Sequence, residues 1–171
     1  IMTVRNHRPY TYPNGKIDIP GDAKSRDGGV KYTDYAMKKF FEMAKKQPWY
    51  NSTVFVIVAD HCASSAGKTE LPMDKYRIPA MIYAPEFVAP QKFSQVTSQI
   101  DVMPTVLGLL NFKYQSKFLG QDVFSKNFVP RAYIATYQDL GFIKDNYLTV
   151  ISPTKNIKQY QLVQKPNTNT T

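Results

Sequence analysis

Cysteine is nearly missing. Cys62 is the single one in 171 residues, which excludes an internal disulfide. A chain of this length buries roughly 70% of its unfolded surface and needs no such staple; one thiol also says little about compartment. Long hydrophobic runs are missing too. None approaches the ~20 residues that span a bilayer, and no signal-peptide pattern is visible. Acidic residues are outnumbered, with 13 Asp and Glu against 22 Lys and Arg, for a formal net charge of +9. The basic residues are spread out rather than gathered in blocks. No helix-turn-helix, zinc-finger or basic-aromatic motif accompanies them, so nucleic acid is not an expected partner. The excess reads as a solvated basic surface or as a face toward anionic lipid. Internal repeats and clear linkers are absent, so residues 1–171 read as one domain. The opening Ile1-Met2-Thr3-Val4 resembles the inside of a strand, and we expect a piece of a longer protein.

What is present centres on Thr53-Val54-Phe55-Val56-Ile57-Val58-Ala59-Asp60-His61. The apolar run has no alternation, as in a strand buried on both faces in the middle of a parallel sheet. It ends on a carboxylate and an imidazole. In open α/β sheets, chemistry collects where strands reach their carboxyl ends.

Upstream, residues 1–6 read as a short strand, and Asn6-His7-Arg8-Pro9-Tyr10 as a polar turn. Pro13, Gly15, Pro20, Gly21, Gly28 and Gly29 mark residues 11–30 as loop. An amphipathic helix is expected over 31–47. Met37, Phe40, Phe41 and Ala44 form its apolar face, Thr33 or Asp34 its cap, and Pro48 its stop. Strand, helix and the 53–59 strand would make a right-handed βαβ unit.

Downstream, 62–76 read as loop and Ile78–Ala84 as a strand closed by Pro85, with Pro79 near its start marking an edge or a strand entry. A helix starts at Ser98 or Asp101 and runs to about Leu110, with Val102, Val106, Leu109 and Leu110 inward. Residues of about 131–165 are β-rich, with turns at Gly141, Asp145-Asn146 and Pro153-Thr154, and read as an antiparallel meander. Residues 166–171 read as a frayed tail.

Asp60 and His61 are suitable ligands for a divalent metal, since at a strand end the turning backbone lets neighbours point to one ion. A structural alternative is that Asp60 caps the loop and His61 is a surface residue. His7 could reach the same end of the sheet and meet a phosphate or sulfate oxygen; it could equally be a surface histidine. Cys62-Ala63-Ser64-Ser65-Ala66-Gly67-Lys68-Thr69 nearly matches a nucleotide-binding phosphate loop. Cys62 stands where the first glycine should be, and Pro72 interrupts the helix that should follow. Lys68 remains a local cation for an anionic substrate. Asn51-Ser52-Thr53 and Asn169-Thr170-Thr171 match the glycosylation pattern by chance.

The Ala-Asp-His ending of Thr53–His61 resembles the alkaline phosphatase superfamily, in its sulfatase-like branch of lipoteichoic acid synthases and phosphoglycerol transferases. Three more stretches agree in order: Asn6-His7-Arg8-Pro9-Tyr10, Tyr76–Pro85, and Ile100-Asp101-Val102-Met103-Pro104-Thr105-Val106-Leu107. The resemblance covers about residues 3–125. It implies an α/β fold: a partial alkaline-phosphatase-like sheet with flanking helices and a C-terminal antiparallel β meander. It also implies one divalent metal (Mn, Mg or Zn) on Asp60 and His61, and head-group contact by His7. A threonine nucleophile and an acidic ligand would lie upstream, so the chain holds no nucleophile and the metal site is incomplete. The implied partners are an anionic lipid or glycan head group and the N-terminal remainder of the same protein, on a membrane-anchored parent with this domain outside the cytoplasm (periplasmic). The fragment alone should not turn over. The Cys62–Lys68 turn departs from the glycine-containing turn of the synthases, which leaves phosphoethanolamine transfer and sulfate-ester hydrolysis open beside phosphoglycerol transfer. Two other readings are a non-catalytic relative that binds anionic lipid or glycan, and a nucleotide-binding protein through Gly67-Lys68-Thr69. A sheet missing its N-terminal strands would expose an edge that tends to pair with another chain, giving an oligomer.

Overall fold

The structure, a computed structural model, describes residue 3, residues 6–62 and residues 71–162. The chain divides into two compact units, 1–53 and 54–171.

In the first unit the helix α1 is Arg26–Ala44. It starts earlier than the expected 31–47, and its cap is Ser25, whose hydroxyl accepts from Gly28 N at 3.1 Å, not Thr33 or Asp34. Gly28 and Gly29 suggested loop. Both are buried in the first turns, and a Cβ on Gly28 would collide with the Tyr12 ring. Glycine is kept there for space rather than for a turn. The helix ends before Pro48: Lys45 is the C-cap and short turns follow. Of the expected apolar face only Ala44 is buried, and Phe40 is 38% exposed. Tyr12, Tyr32 and Tyr35 stack along the helix instead, at centroid distances of 5.9 and 6.0 Å. The expected first strand falls mostly outside the described residues; Thr3 and Asn6 are not in a strand.

In the second unit β1 is Phe55–Val58 and β2 is Ala80–Tyr83, and the two are antiparallel, with Phe55 opposite Tyr83 and Val58 opposite Ala80. This corrects the parallel, two-faced reading. Phe55 is buried, while Val56 and Val58 are 40% and 38% exposed. A parallel partner needs a crossover of a dozen or more residues, usually helical. The described part of the β1–β2 connection holds only a 3-10 turn at Met73–Lys75. Of the expected 62–76 loop, residues 63–70 lie outside the described residues; Cys62, Leu71 and Pro72 are in neither helix nor strand, and Met73–Lys75 form that turn. Pro79 does mark the strand entry, and its carbonyl accepts from Ala59 N at 3.2 Å.

The helix α2, Val102–Leu109, follows a 3-10 turn at Gln99–Asp101, close to expectation. Leu110 is the exception, 39% exposed just past the helix. The meander also stands: β3 Ala132–Ala135, β4 Leu140–Lys144, β5 Tyr147–Ile151 and β6 Ile157–Gln161 pair in sequence order. Asp145 and Asn146 both take positive φ (49° and 64°), as a two-residue hairpin turn needs. Gly141 corrects the expectation. It lies inside β4 opposite Val150 and Ile134, not in a turn. A Cβ there would stand 2.8 Å from Ile134, 3.0 Å from Leu71 and 3.1 Å from Leu148. Leu71, Ala132, Ile134, Ile143 and Leu148 form the core over which Met73 and Tyr76 close.

One ion pair joins α2 to the meander. Arg131 Nη1 and Nη2 donate to Asp101 Oδ2 and Oδ1 at 2.7 and 2.8 Å. Asp101 and Arg131 are 1% and 4% exposed. Ser98 N and Gln121 N donate to the same carboxylate at 2.9 and 2.7 Å, giving it four donors. Arg131 Nη2 also reaches Leu119 O at 3.1 Å. Thr105 Oγ1 donates to Asp101 O and accepts from Val123 N, so the 119–123 segment lies on the helix start. Gly120 permits that approach, since a Cβ would strike Ile100 O.

Removing two charges from water costs several kcal/mol per ion, and breaking such a pair leaves one charge uncompensated. Asp101→Asn in the full-length protein should cost about 3–5 kcal/mol in urea unfolding. Asp101→Leu combined with Arg131→Met should cost less than the two singles summed. Burial pushes the Asp101 pKa up, but Arg131 and the Ser98 and Gln121 amides outweigh it and hold it below the ordinary value. Its stabilisation is therefore fully present above about pH 4, the unfolded value. It is lost as pH falls through the lower folded value. Unfolding midpoints measured against pH should show this acid limb in the native chain and a flatter one in Asp101→Asn.

Candidate metal-ligand pair and polar turn

Asp60 and His61 sit directly past β1 in a bend. His61 N donates to Asp60 Oδ1 at 2.9 Å, and His61 Nε2 lies 3.4 Å from Asp60 Oδ2. The side chains are 73% and 68% exposed. An ion pair this open contributes about 0–1 kcal/mol, so mutual attraction does not hold the arrangement. The backbone does. His61 Nδ1 is 2.8 Å from Cys62 O. A carbonyl only accepts, so Nδ1 donates there, and the neutral ring then presents its Nε2 lone pair on the side of Asp60 Oδ2. Gln99 Nε2 donates to Ala59 O at 2.9 Å and to Asp60 O at 3.3 Å, tying the bend to the turn before α2. On the other side, Tyr76 Oη donates to Ala135 O at 3.0 Å and fastens the returning chain to β3. Burial, and less so Cys62, pushes the Tyr76 phenol up.

The donor set is one carboxylate oxygen and one imidazole nitrogen, accessible and side by side. That fits part of a divalent-metal site. Among the described residues no group of three or more His, Cys, Asp or Glu converges.

His7 belongs to the first unit. Tyr10 N donates to His7 O at 2.9 Å, which closes residues 7–10 into a tight turn; the Arg8–Pro9 peptide within it is cis. Two contacts anchor it to α1: Thr33 Oγ1 donates to Asn6 Oδ1 at 3.1 Å, and Arg26 Nε donates to Tyr10 Oη at 3.1 Å. His7 is exposed, and Nδ1 donates to Arg8 O at 2.9 Å. Its Nε2 can accept from a hydroxyl when the ring is neutral, or donate to an anionic oxygen when the ring is protonated. Sequence reasoning did not find the Tyr10 cluster. Arg26 lies sixteen residues on, and no local pattern links it to Tyr10. Lys68, the Gly67-Lys68-Thr69 loop, the tail from 166 and Asn169-Thr170-Thr171 lie outside the described residues.

With this geometry in view, the comparisons are direct. The Sulfatase family profile matches residues 1–112. The chain belongs to the sulfatase family. Lipoteichoic acid synthase 2 of Bacillus subtilis is 25% identical over 170 residues, covering 87% of this chain and 26% of that protein. Lipoteichoic acid synthase of Staphylococcus aureus is 25% identical over 191 residues, covering 95% of this chain and 28% of that protein. The chain thus spans about a quarter of the length of these relatives. A crystal structure of a protein in the alkaline phosphatase superfamily from Vibrio parahaemolyticus superposes with a TM-score of 0.84 at 31% identity, over 92% of this chain and 39% of that one. The mixed helix and sheet fold of this sulfatase-family chain, with its antiparallel meander, is therefore alkaline-phosphatase-like.

The Arg26 guanidinium, against burial and with help from Arg8, holds the Tyr10 phenol below its ordinary pKa. Arg26→Met should raise it. An NMR titration of labelled tyrosines should show one resonance moving to higher pH, with the others fixed.

Proposed function

We propose that the chain is the C-terminal part of the catalytic domain of a metal-dependent enzyme that transfers or hydrolyses phospho- or sulfo-ester head groups. Phosphoglycerol transfer is the favoured reaction. The observation that carries this reading is the Asp60–His61 pair. It would supply two metal donors just past a strand end, Asp60 Oδ2 and His61 Nε2 3.4 Å apart, on a chain of the sulfatase family. The named synthase relatives support an anionic glycerophosphate substrate; the basic surface, at +9, suits such a head group.

Asp60 would hold the ion through a carboxylate oxygen and His61 through Nε2. When bound, a divalent ion supplies a Lewis acid beside the reacting ester. His61 keeps its ring oriented through the Cys62 carbonyl. His7 would meet the head group, orienting a hydroxyl as the neutral ring or countering an anionic oxygen as the imidazolium. The nucleophile and a further acidic ligand belong, in this proposal, to the N-terminal remainder of the same protein. No described helix is long and apolar enough to cross a membrane. The proposed parent is anchored elsewhere in its sequence and carries this domain outside the cytoplasmic membrane.

The test is calorimetry of Mn²⁺, Mg²⁺ and Zn²⁺ binding to the metal-stripped full-length protein. Asp60→Ala and His61→Ala should each abolish or severely weaken binding, and His7→Ala should leave it intact while impairing head-group transfer. Metal affinity unchanged in both Asp60→Ala and His61→Ala would overturn the reading.

A further inference from the structure

We propose that Gln99 is a positioning residue for the metal-ligand bend, acting through the Ala59 and Asp60 carbonyls rather than by touching metal or substrate. The inference rests on the metal reading of Asp60 and His61. Those two side chains are open to solvent and attract one another weakly, so something else must set their direction. The carboxamide of Gln99 is the side chain that bridges to this backbone, with Nε2 at 2.9 Å from Ala59 O and 3.3 Å from Asp60 O.

The bridge would mean little if Gln99 were itself loose. It sits in the 3-10 turn that leads into α2, one residue after Ser98 and two before Asp101. Ser98 N is held by Asp101 Oδ2 at 2.9 Å, and Asp101 N by Ser98 O at 2.9 Å. Asp101 is fixed in turn by Arg131 at 2.7 and 2.8 Å. The backbone on either side of Gln99 is thus tied into the buried Asp101–Arg131 network. The Gln99 side chain carries that rigidity outward to the exposed bend. Holding two consecutive carbonyls on one donor fixes the peptide plane from which the Asp60 side chain departs. It also orients the next peptide, whose N–H closes onto Asp60 Oδ1.

The role depends on a donor of the right length. Gln99→Glu keeps shape and length but sets a carboxylate against two carbonyl oxygens. Gln99→Met keeps length and removes the donor. Gln99 is exposed, so neither change empties a core. Support groups behind a metal ligand commonly affect affinity about ten- to hundredfold. Calorimetry of Mn²⁺ binding to the metal-stripped full-length protein should show about a tenfold or larger loss of affinity in both variants. The thermal unfolding midpoint of the apoprotein should be unchanged. Four outcomes would overturn the inference. Native affinity in both variants, with Asp60→Ala abolishing binding, would leave the metal reading standing and remove the positioning role. A loss in Gln99→Met but not in Gln99→Glu would point to bulk rather than a donor. A loss that tracks a lowered unfolding midpoint in both variants would make the role one of folding. Native affinity in all of Gln99→Glu, Gln99→Met, Asp60→Ala and His61→Ala would remove the metal reading as well.

Discussion

The buried Asp101–Arg131 pair is the constraint on which the second unit depends. A carboxylate taken out of water is tolerable only when its lone pairs are filled. Here four donors fill them, from Ser98, Gln121 and both forks of Arg131. These donors come from three stretches of chain: the entry to α2, the segment after Gly120, and the residue before β3. One carboxylate thus decides where three segments meet. The exposed pairs Lys31–Asp18 and Lys39–Glu42 cannot do the same, because water competes for each of their charges.

The proposed site is built the opposite way. A metal ligand must keep a lone pair uncommitted, and so it cannot be held by the bonds that fix Asp101. Asp60 and His61 are accordingly exposed, and they are steered from behind by carbonyls and amides of the bend. Gln99 lies two residues before the strong, saturated interaction, and its side chain reaches the backbone of the open, unsaturated one. This division of labour is expected of a binding site: rigidity is placed in atoms that never meet the ligand, and is passed to those that do.

These relations explain what the sequence discloses. The strand β5 is legible because Asp145-Asn146 and Pro153-Thr154 punctuate both ends with turn chemistry. The start of α2 is legible because Ser98 and Asp101 carry a local capping signature. The end of β1 is legible because the apolar run stops at once on Asp60. The misses have one cause, which is that a residue type admits two uses. Gly28, Gly29 and Gly141 suggest turns from composition, yet each is buried, and a Cβ on Gly28 or Gly141 would crowd Tyr12 or Leu71. The Val56–Val58 run suggests burial on two faces, but strand direction and coverage depend on the partner and the connection. Neither is written in the run. Arg131 suggests one more dispersed cation, because its partner lies thirty residues away.

The position of β1 has a further physical consequence for the metal reading. Among the described residues β1 pairs with β2 alone; a two-stranded sheet is marginal by itself, and Val56, Val58 and Met81 are part-exposed. The bend that carries Asp60 and His61 therefore hangs from a weak sheet, with the Gln99 bridge as one brace and the Tyr76 bond as another. The bend thus takes its order from those two braces rather than from the strand pair. Chain pairing along the second edge of β1 in the proposed enzyme would both extend the sheet and stiffen the bend. In the proposed enzyme, then, folding of the longer catalytic domain and assembly of the metal site would be one process, with metal affinity reporting how completely the sheet has formed.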